Sequence, residues 1–336
     1  MSQLRYDPST DMWVVIASER GKRPHDFRIA HQEKRGGECP FCYGNEHQTP
    51  PEIAVTGRDP DIPNTPGWTV RVIPNKFPAL SLEAQGINEV VHVPYKAING
   101  IGVHEVLVES PHHDSTFGTH SIGQLKSIIA MLLQRYYDLR TNPKLKYLQF
   151  FKNSGRIAGA SLEHAHCQLI ATPLVPVVIA TETRIATDYF QRHGRCLYCD
   201  MLEVELSGTR VVELNDDFLL FCPFASRFPY EMWIMPRRHS HDFGLITDQE
   251  ISTFCHILST GIRRLESAFD VIPYNMVLHT APWEIGHEHY HWHLEILPRL
   301  TIVAGFEFGT GYYINPTAPE LAANSLRQVE EVISQP

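Results

Sequence analysis
No stretch of this 336-residue sequence stays apolar for the roughly 18–20 residues a bilayer-spanning helix requires. The opening segment, MSQLRYDPSTDMW, lacks the basic-then-apolar pattern of a secretory signal. Together these absences lead to the expectation of a soluble, cytoplasmic chain. An excess of positive charge is missing as well: 29 Lys+Arg stand against 38 Asp+Glu, a formal charge of −9. That argues against a general nucleic-acid coat, whose phosphate contacts are built from clustered Lys and Arg. A small anionic substrate stays compatible, because only the local field at a cleft matters to it. Charged residues are 20% and hydrophobic residues 43% of the chain, a globular balance rather than a disordered or fibrous one. The length suits two ordinary domains or one duplicated unit, with room for a sizeable core.

What the sequence has in abundance is histidine, 19 residues, together with seven cysteines. Four of the cysteines form two Cys-x-x-Cys pairs, Cys39/Cys42 and Cys196/Cys199. An odd cysteine count without a signal favours reduced thiols, so the pairs read as metal ligands or redox sites before disulfides. Cys167, Cys222 and Cys255 lie in apolar surroundings, and Cys222 and Cys255 read as small core residues.

These features recur in order. Cys39–Cys42, an extended segment Thr69–Pro74, a strand Val103–Val108 closing on Ser110-Pro111-His112-His113, a helix, a strand Tyr147–Phe151 and His164-Ala165-His166 make one series. Cys196–Cys199, strands Phe218–Phe221 and Tyr230–Met235 closing on Pro236-Arg237-Arg238-His239, a helix, a strand Tyr274–Leu278 and His291-Trp292-His293 make the second. From His113 to His164 is 51 residues and from His239 to His291 is 52, a match that points to internal duplication. Ser121 with Gln124 and Thr247 with Glu250 fit capping boxes that open the two intervening helices. A third helix is expected from about Pro319 to Ile333. The repeat boundary is expected within Pro173–Gly194, giving units 1–180 and 181–336. A β–β–helix–β–β repeat implies antiparallel sheets carrying helices, an α+β fold.

Tetrahedral Zn2+ takes four N or S ligands, and Cys2His2 is among its closed structural sets. Cys39, Cys42, His113 and His164 form one candidate set; Cys196, Cys199, His239 and His291 form the other. His112 and His241 compete with His113 and His239 for the same places. Zinc in such sets folds the protein rather than reacting. His164, His166 and Gln168 alternate, which on a strand puts them on one face. A neutral imidazole at His166, with one nitrogen tied to the backbone and the other free, suits attack on phosphorus. Gln168 then suits donation to a phosphoryl oxygen.

The segment Asn153–Gln168 (NSGRIAGASLEHAHCQ) resembles the active-site segment of galactose-1-phosphate uridylyltransferases, of the histidine-triad superfamily. Arg5-Tyr6-Asp7-Pro8, Lys22-Arg23-Pro24, Cys39-Pro40-Phe41-Cys42 and Ser110–His113 are similar to it too. The resemblance implies two histidine-triad-like domains, a homodimer, and a double displacement. His166 would attack the α-phosphorus of a nucleotide-sugar such as UDP-glucose and release sugar-1-phosphate. A second sugar phosphate, galactose-1-phosphate, would then take the nucleotide from His166. In this reading His164 is a zinc ligand; Asn153, Gly159 and Ser161 cradle the phosphates; Arg20 and Arg23 reach the diphosphate; Asn75 contacts the ribose. There are departures. His-Pro-His-Gly-Gln reads His164-Ala165-His166-Cys167-Gln168, and the Asn-Asp pair near the ribose reads Asn75-Lys76. The stretch Gly305–Pro316 and the second thiol pair are equally similar to ADP-glucose phosphorylase, of the same superfamily, where phosphate is the acceptor. A second metal on Glu182, His279 and His293 is the competing arrangement. His293 stands at the His166 position of the second repeat, but its neighbour Glu295 would repel a phosphate by roughly 1–4 kcal/mol at 4 Å. The second repeat is therefore expected to be a pseudo-site. A non-catalytic, zinc-stapled nucleotide-binding module is the alternative from another class.

Overall fold
The computed structural model describes residues 2–20, 38–58, 62–84, 90–92, 94–269, 272–284 and 286–329. In chain order the first half contributes β1 (Gln3–Asp7), β2 (Met12–Ile16), β3 (Ala54–Thr56), β4 (Val70–Pro74), β5 (Val90–His92), β6 (Tyr95–Ala97) and β7 (Val103–Val108). Helix α1 (Ile122–Arg140), β8 (Tyr147–Ser154) and β9 (His166–Thr172) complete it. The second half contributes helices α2 (Val177–His193) and α3 (Leu197–Leu206), then β10 (Val211–Leu214), β11 (Phe218–Phe221) and β12 (Met232–Pro236). It continues with α4 (Asp248–Phe269), β13 (Tyr274–His279), β14 (His293–Pro298), α5 (Gly305–Thr310), β15 (Tyr313–Asn315) and α6 (Pro319–Gln328).

Ten strands form one sheet in the order β10-β11-β12-β14-β13-β8-β9-β7-β4-β3, every pairing antiparallel. The order is a palindrome: each half supplies five strands, and β8 meets β13 at the centre, with Asn153 opposite Asn275. The α+β expectation and the duplication are both realised in this sheet. β1, β2 and β15 form a separate three-stranded sheet, anchored where Arg5 donates to both oxygens of Glu320.

Helices α1 and α4 pack on one face of the large sheet and against each other. Their buried stripes, including Leu125, Ile129, Leu132 and Tyr136 on α1 and Phe254, Leu258, Ile262 and Leu265 on α4, follow the spacing of one helical face. Both share a single core with strand residues such as Leu169 and Leu294. The Thr247 cap is reciprocal: its hydroxyl accepts from the Glu250 N–H and the Glu250 carboxylate accepts from the Thr247 N–H. The Ser121 cap is half a box. Its hydroxyl accepts from the Gln124 N–H, while the Gln124 amide donates to the Thr69 and Glu109 carbonyls. The expected boundary segment is mostly helix α2, whose Ile179, Glu182, Thr183 and Ala186 face inward at helical spacing. The third helix is described to Gln328; residues 330–336 lie outside the described residues. Among the described residues no helix is long and apolar enough to cross a membrane.

Candidate active site
The four sulfur and nitrogen atoms of Cys39, Cys42, His113 and His164 lie within 4.8 Å of one another, as do those of Cys196, Cys199, His239 and His291. A zinc ion with bonds of about 2.3 Å to sulfur and 2.0–2.1 Å to nitrogen has S···N edges of about 3.5 Å. In the first set Cys39–His164, Cys42–His113 and Cys42–His164 measure 3.6, 3.4 and 3.5 Å. In the second, Cys199–His239 and Cys199–His291 measure 3.4 and 3.7 Å. The rings are turned to present Nδ1: Nε2 of His164 donates to the Ser110 carbonyl (2.7 Å), that of His291 to Pro236 (2.9 Å) and that of His239 to Glu288 (2.8 Å). Burial pulls His164 down to about 4, which keeps it a neutral ligand. Both sets fit a tetrahedral metal, and His113 and His239, rather than His112 and His241, complete them. A third group, Glu182, His279 and His293, also converges within 4.8 Å.

Strand β9 opens at His166, so His164 sits on the turn just before it. His166 is 6% exposed. Its Nδ1 donates to the His164 carbonyl at 2.8 Å, which fixes the tautomer and leaves the Nε2 lone pair free. Burial lowers its pKa, so the ring is held neutral. The ring of Phe41, inside the first Cys-x-x-Cys turn, meets His166 edge-on at 5.5 Å. Close by, Lys152 on β8 and Glu109, just past the end of β7, form a buried pair. Burial alone would raise Glu109, but the Lys152 ammonium and His120 bring it down to about 2.

His166 and Gln168 open onto a cleft of about 760 Å³, which Ser161, Asn75, Lys76 and Phe77 also line. That volume lies within the range of sites that enclose small-molecule ligands. Asn153 lines a smaller cavity of about 60 Å³ that His166 also borders, and its oxygen accepts from the Asn275 amide at 2.8 Å. Gly159 closes the loop beside it: at φ +92 it occupies the left-handed region, and Asn153 Nδ2 lies 3.6 Å from where its Cβ would stand. Arg20 is exposed and lines neither cavity. Arg23 lies outside the described residues. Sequence reasoning missed His104, whose Nε2 is 2.9 Å from Gln168 Oε1 and 3.1 Å from Asn75 Nδ2. The signal was the alternation of His104, Val106 and Val108, but reading it required knowing that β7 pairs with β9.

Among the described residues, the corresponding place in the second repeat is filled by buried side chains. Trp233 stacks on His293 at 4.5 Å with an interplanar angle of 21°. Arg227 donates to Glu295 at 2.6 Å and to Glu231 at 3.0 Å. Glu182, from α2, pairs with His279 at 3.0 Å. Burial would lower His279, but Glu182 and Glu295 raise it to about 9. His293 is fully enclosed.

A palindromic α+β sheet, a His-x-His strand mouth and two Cys2His2 sets define an internally duplicated α+β protein with a buried histidine at the mouth of a cleft. More particularly, the chain belongs to the galactose-1-phosphate uridylyltransferase family. Residues 1–176 match the family described as galactose-1-phosphate uridyl transferase, N-terminal domain. Residues 104–334 match one described as a domain of unknown function (DUF4921). The chain is 34% identical over 335 residues to an ADP-glucose phosphorylase of Arabidopsis thaliana, covering 97% of this chain and 93% of that protein. It is 30% identical over 340 residues to a galactose-1-phosphate uridylyltransferase of Thermotoga maritima, covering 98% and 99%. The crystal structure of an ADP-glucose phosphorylase from Arabidopsis thaliana with bound ADP-glucose superposes with a TM-score of 0.84 at 32% identity, covering 98% of this chain and 100% of that one.

Proposed function
We propose that the protein transfers a nucleotidyl group from a nucleoside-diphosphate hexose by double displacement at His166. The observation that carries this reading is the neutral His166 ring, pinned through Nδ1 and reached from a nucleotide-sized cleft. In the first step the Nε2 lone pair bonds to the α-phosphorus, and the bond from that phosphorus to the bridging oxygen breaks. Hexose-1-phosphate departs with the electron pair. The His164 carbonyl, accepting from Nδ1–H, then stabilises the positive charge on the substituted ring. Gln168 donates to the phosphoryl oxygen as charge grows on it. Asn75 serves the ribose, Ser161, Gly159 and Asn153 the phosphates, and Arg23 the diphosphate; Arg20, away from both cavities, takes no part. In the second step an acceptor oxygen bonds to the phosphorus and His166 leaves neutral. The two Cys2His2 sets would hold Zn2+, two per chain. Bound there, the metal supplies a closed structural cross-link. Residues 1–180 form the repeat that carries the reaction and 181–336 the repeat that does not.

Two acceptors complete the reaction. Phosphate, with ADP-glucose as donor, is favoured by likeness along nearly the whole chain to the Arabidopsis phosphorylase. Galactose-1-phosphate, with UDP-glucose as donor, is the second reading, favoured by the family match over residues 1–176 and the Thermotoga relative. Incubation with α-labelled ADP-glucose or UDP-glucose, without acceptor, is expected to leave acid-labile label on the protein. A chase with phosphate or with galactose-1-phosphate identifies the acceptor. No label from either donor would leave the non-catalytic binding module standing.

A further inference from the structure
We propose that His104 is a positioning residue: through the one proton on its Nε2 it holds the Gln168 amide with the NH2 end toward the nucleophile. The proposal rests on the nucleotidyl-transfer reading above. Val106 pairs directly with Gln168 across β7 and β9, so His104, two residues earlier, is the diagonal neighbour of Gln168 on the same face of the sheet. A glutamine amide has a donor end and an acceptor end of nearly equal shape, and its partners decide which end faces the cleft. Here the decision begins on the far side of the imidazole. The Ala79 backbone N–H, which can only donate, meets Nδ1 at 3.2 Å. Nδ1 therefore carries the lone pair and Nε2 the proton. Nε2–H then donates to Gln168 Oε1 at 2.9 Å, which engages the acceptor end and turns the NH2 group out. The other tautomer would set donor against donor at Ala79 and present the Gln168 oxygen to an anionic phosphoryl group.

Asn75 completes the device. Its oxygen accepts from the Phe77 N–H at 2.9 Å, so its NH2 group lies toward His104, 3.1 Å from Nε2. A protonated Nε2 cannot accept from that group. A ligand oxygen that accepts from Asn75 draws this donor away from Nε2–H and so relieves the donor-to-donor contact that opposes the tautomer serving Gln168. Engagement of the sugar end of a nucleotide is in this way coupled to the donor that meets its phosphorus.

The test is the rate of covalent labelling by the productive nucleotide-sugar, measured over a range of donor concentrations. His104→Phe is expected to lower the saturating rate about 10–100-fold, the cost of one oriented hydrogen bond to a developing charge, with less than about 3-fold change in the half-saturating concentration. His104→Gln, whose side-chain NH2 can reach the same oxygen, is expected to stay within about 5-fold of the parent. In a Gln168→Leu background, His104→Phe is expected to cost less than about 2-fold more, because its route of action is already gone. Should His104→Phe not fold, His104→Asn serves in the same cycle: its oxygen can still accept from Ala79 but its amide is too short to reach Gln168. A parental rate in His104→Phe or His104→Asn, a loss in His104→Gln as large as in His104→Phe, or a full multiplicative loss in the double variant overturns the proposal while leaving the reaction intact. A parent that takes label from neither donor overturns the nucleotidyl reading and this inference with it.

Discussion
The two repeats have the same strand order and nearly the same ligand sets, yet one keeps a cleft and the other fills it. Strand register makes the comparison residue by residue. Val106 pairs with Gln168 in the first repeat, and Trp233 pairs with Glu295 in the second. A small side chain leaves open the space that an indole occupies against His293. Two residues upstream, His104 corresponds to Glu231, and the neutral pair His104–Gln168 becomes two carboxylates bridged by Arg227. Phe41 corresponds to Tyr198, which is fully buried and packs against His293 at 5.5 Å. The backbone frame was retained in both halves; the chemistry differs through side chains that point into one small volume. The second repeat has in effect become core.

That contrast can be attacked at several levels. The largest effect is expected from the metal sets, which the two repeats share. Chelation should unfold or strongly destabilise the chain, since a structural zinc contributes about 10–16 kcal/mol of apparent binding energy. Metal analysis should return two zinc ions per chain, falling by one in Cys39→Ser and by one in Cys196→Ser. A third metal per chain would place an ion on Glu182, His279 and His293. Next come the paired histidines: His166→Gly should abolish covalent labelling, a loss of at least about 10⁴-fold, while His293→Gln should still label at His166. Equal loss in both would erase the distinction between site and pseudo-site. Smaller is Arg227→Met, which leaves Glu231 without a cation and Glu295 with His279 alone. It should cost about 3–5 kcal/mol in denaturant unfolding, yet leave the labelling rate of the folded protein within about 2-fold.

The smallest effect lies where the repeats lean on each other. Glu266, on α4 of the second repeat, accepts from the Thr116 hydroxyl of the first at 3.1 Å, and burial holds its carboxyl up at about 7. An unfolded glutamate titrates near 4.3. Between those values the folded chain keeps a proton that the unfolded chain has released. Its contribution is therefore complete below about pH 4.3, is lost as pH rises through about 7, and is constant above that. Glu266→Gln should flatten that slope, raising stability above pH 7 by about 1–3 kcal/mol relative to the parent, measured by thermal unfolding from pH 5 to 8.

Much of this architecture was legible because the Cys2His2 clusters and the strands impose spacing on the chain. The interval from His113 to His164 must contain one helix and one strand of the sheet, and so must the interval from His239 to His291; the near-equal spacings express that path. Periodicity likewise gave α1 and α4, whose inward stripes are apolar. Helix α2 was hidden, because Glu182 and Thr183 are among its inward residues and answer to polar partners rather than to a hydrophobic stripe. His104 was hidden for another reason: its role comes from a strand more than 60 positions away, and register between distant strands is a property of the folded sheet. The filling of the second site was half visible. Glu295 stood out as the wrong charge, but Trp233 and Arg227 could not be assigned to it without the pairing.

The meeting of β8 and β13 in the middle of the ten-stranded sheet has a consequence for the history and handling of the chain. Each half, made alone, would expose a long row of unpaired backbone groups along what is now an interior seam. A free half would therefore tend to capture another half, and its own duplicate is the partner with the matching edge. The joined polypeptide behaves as a twofold pair soldered through its connecting segment. That soldering allows the two ends to drift apart in chemistry, since a change on one side is no longer copied to the other.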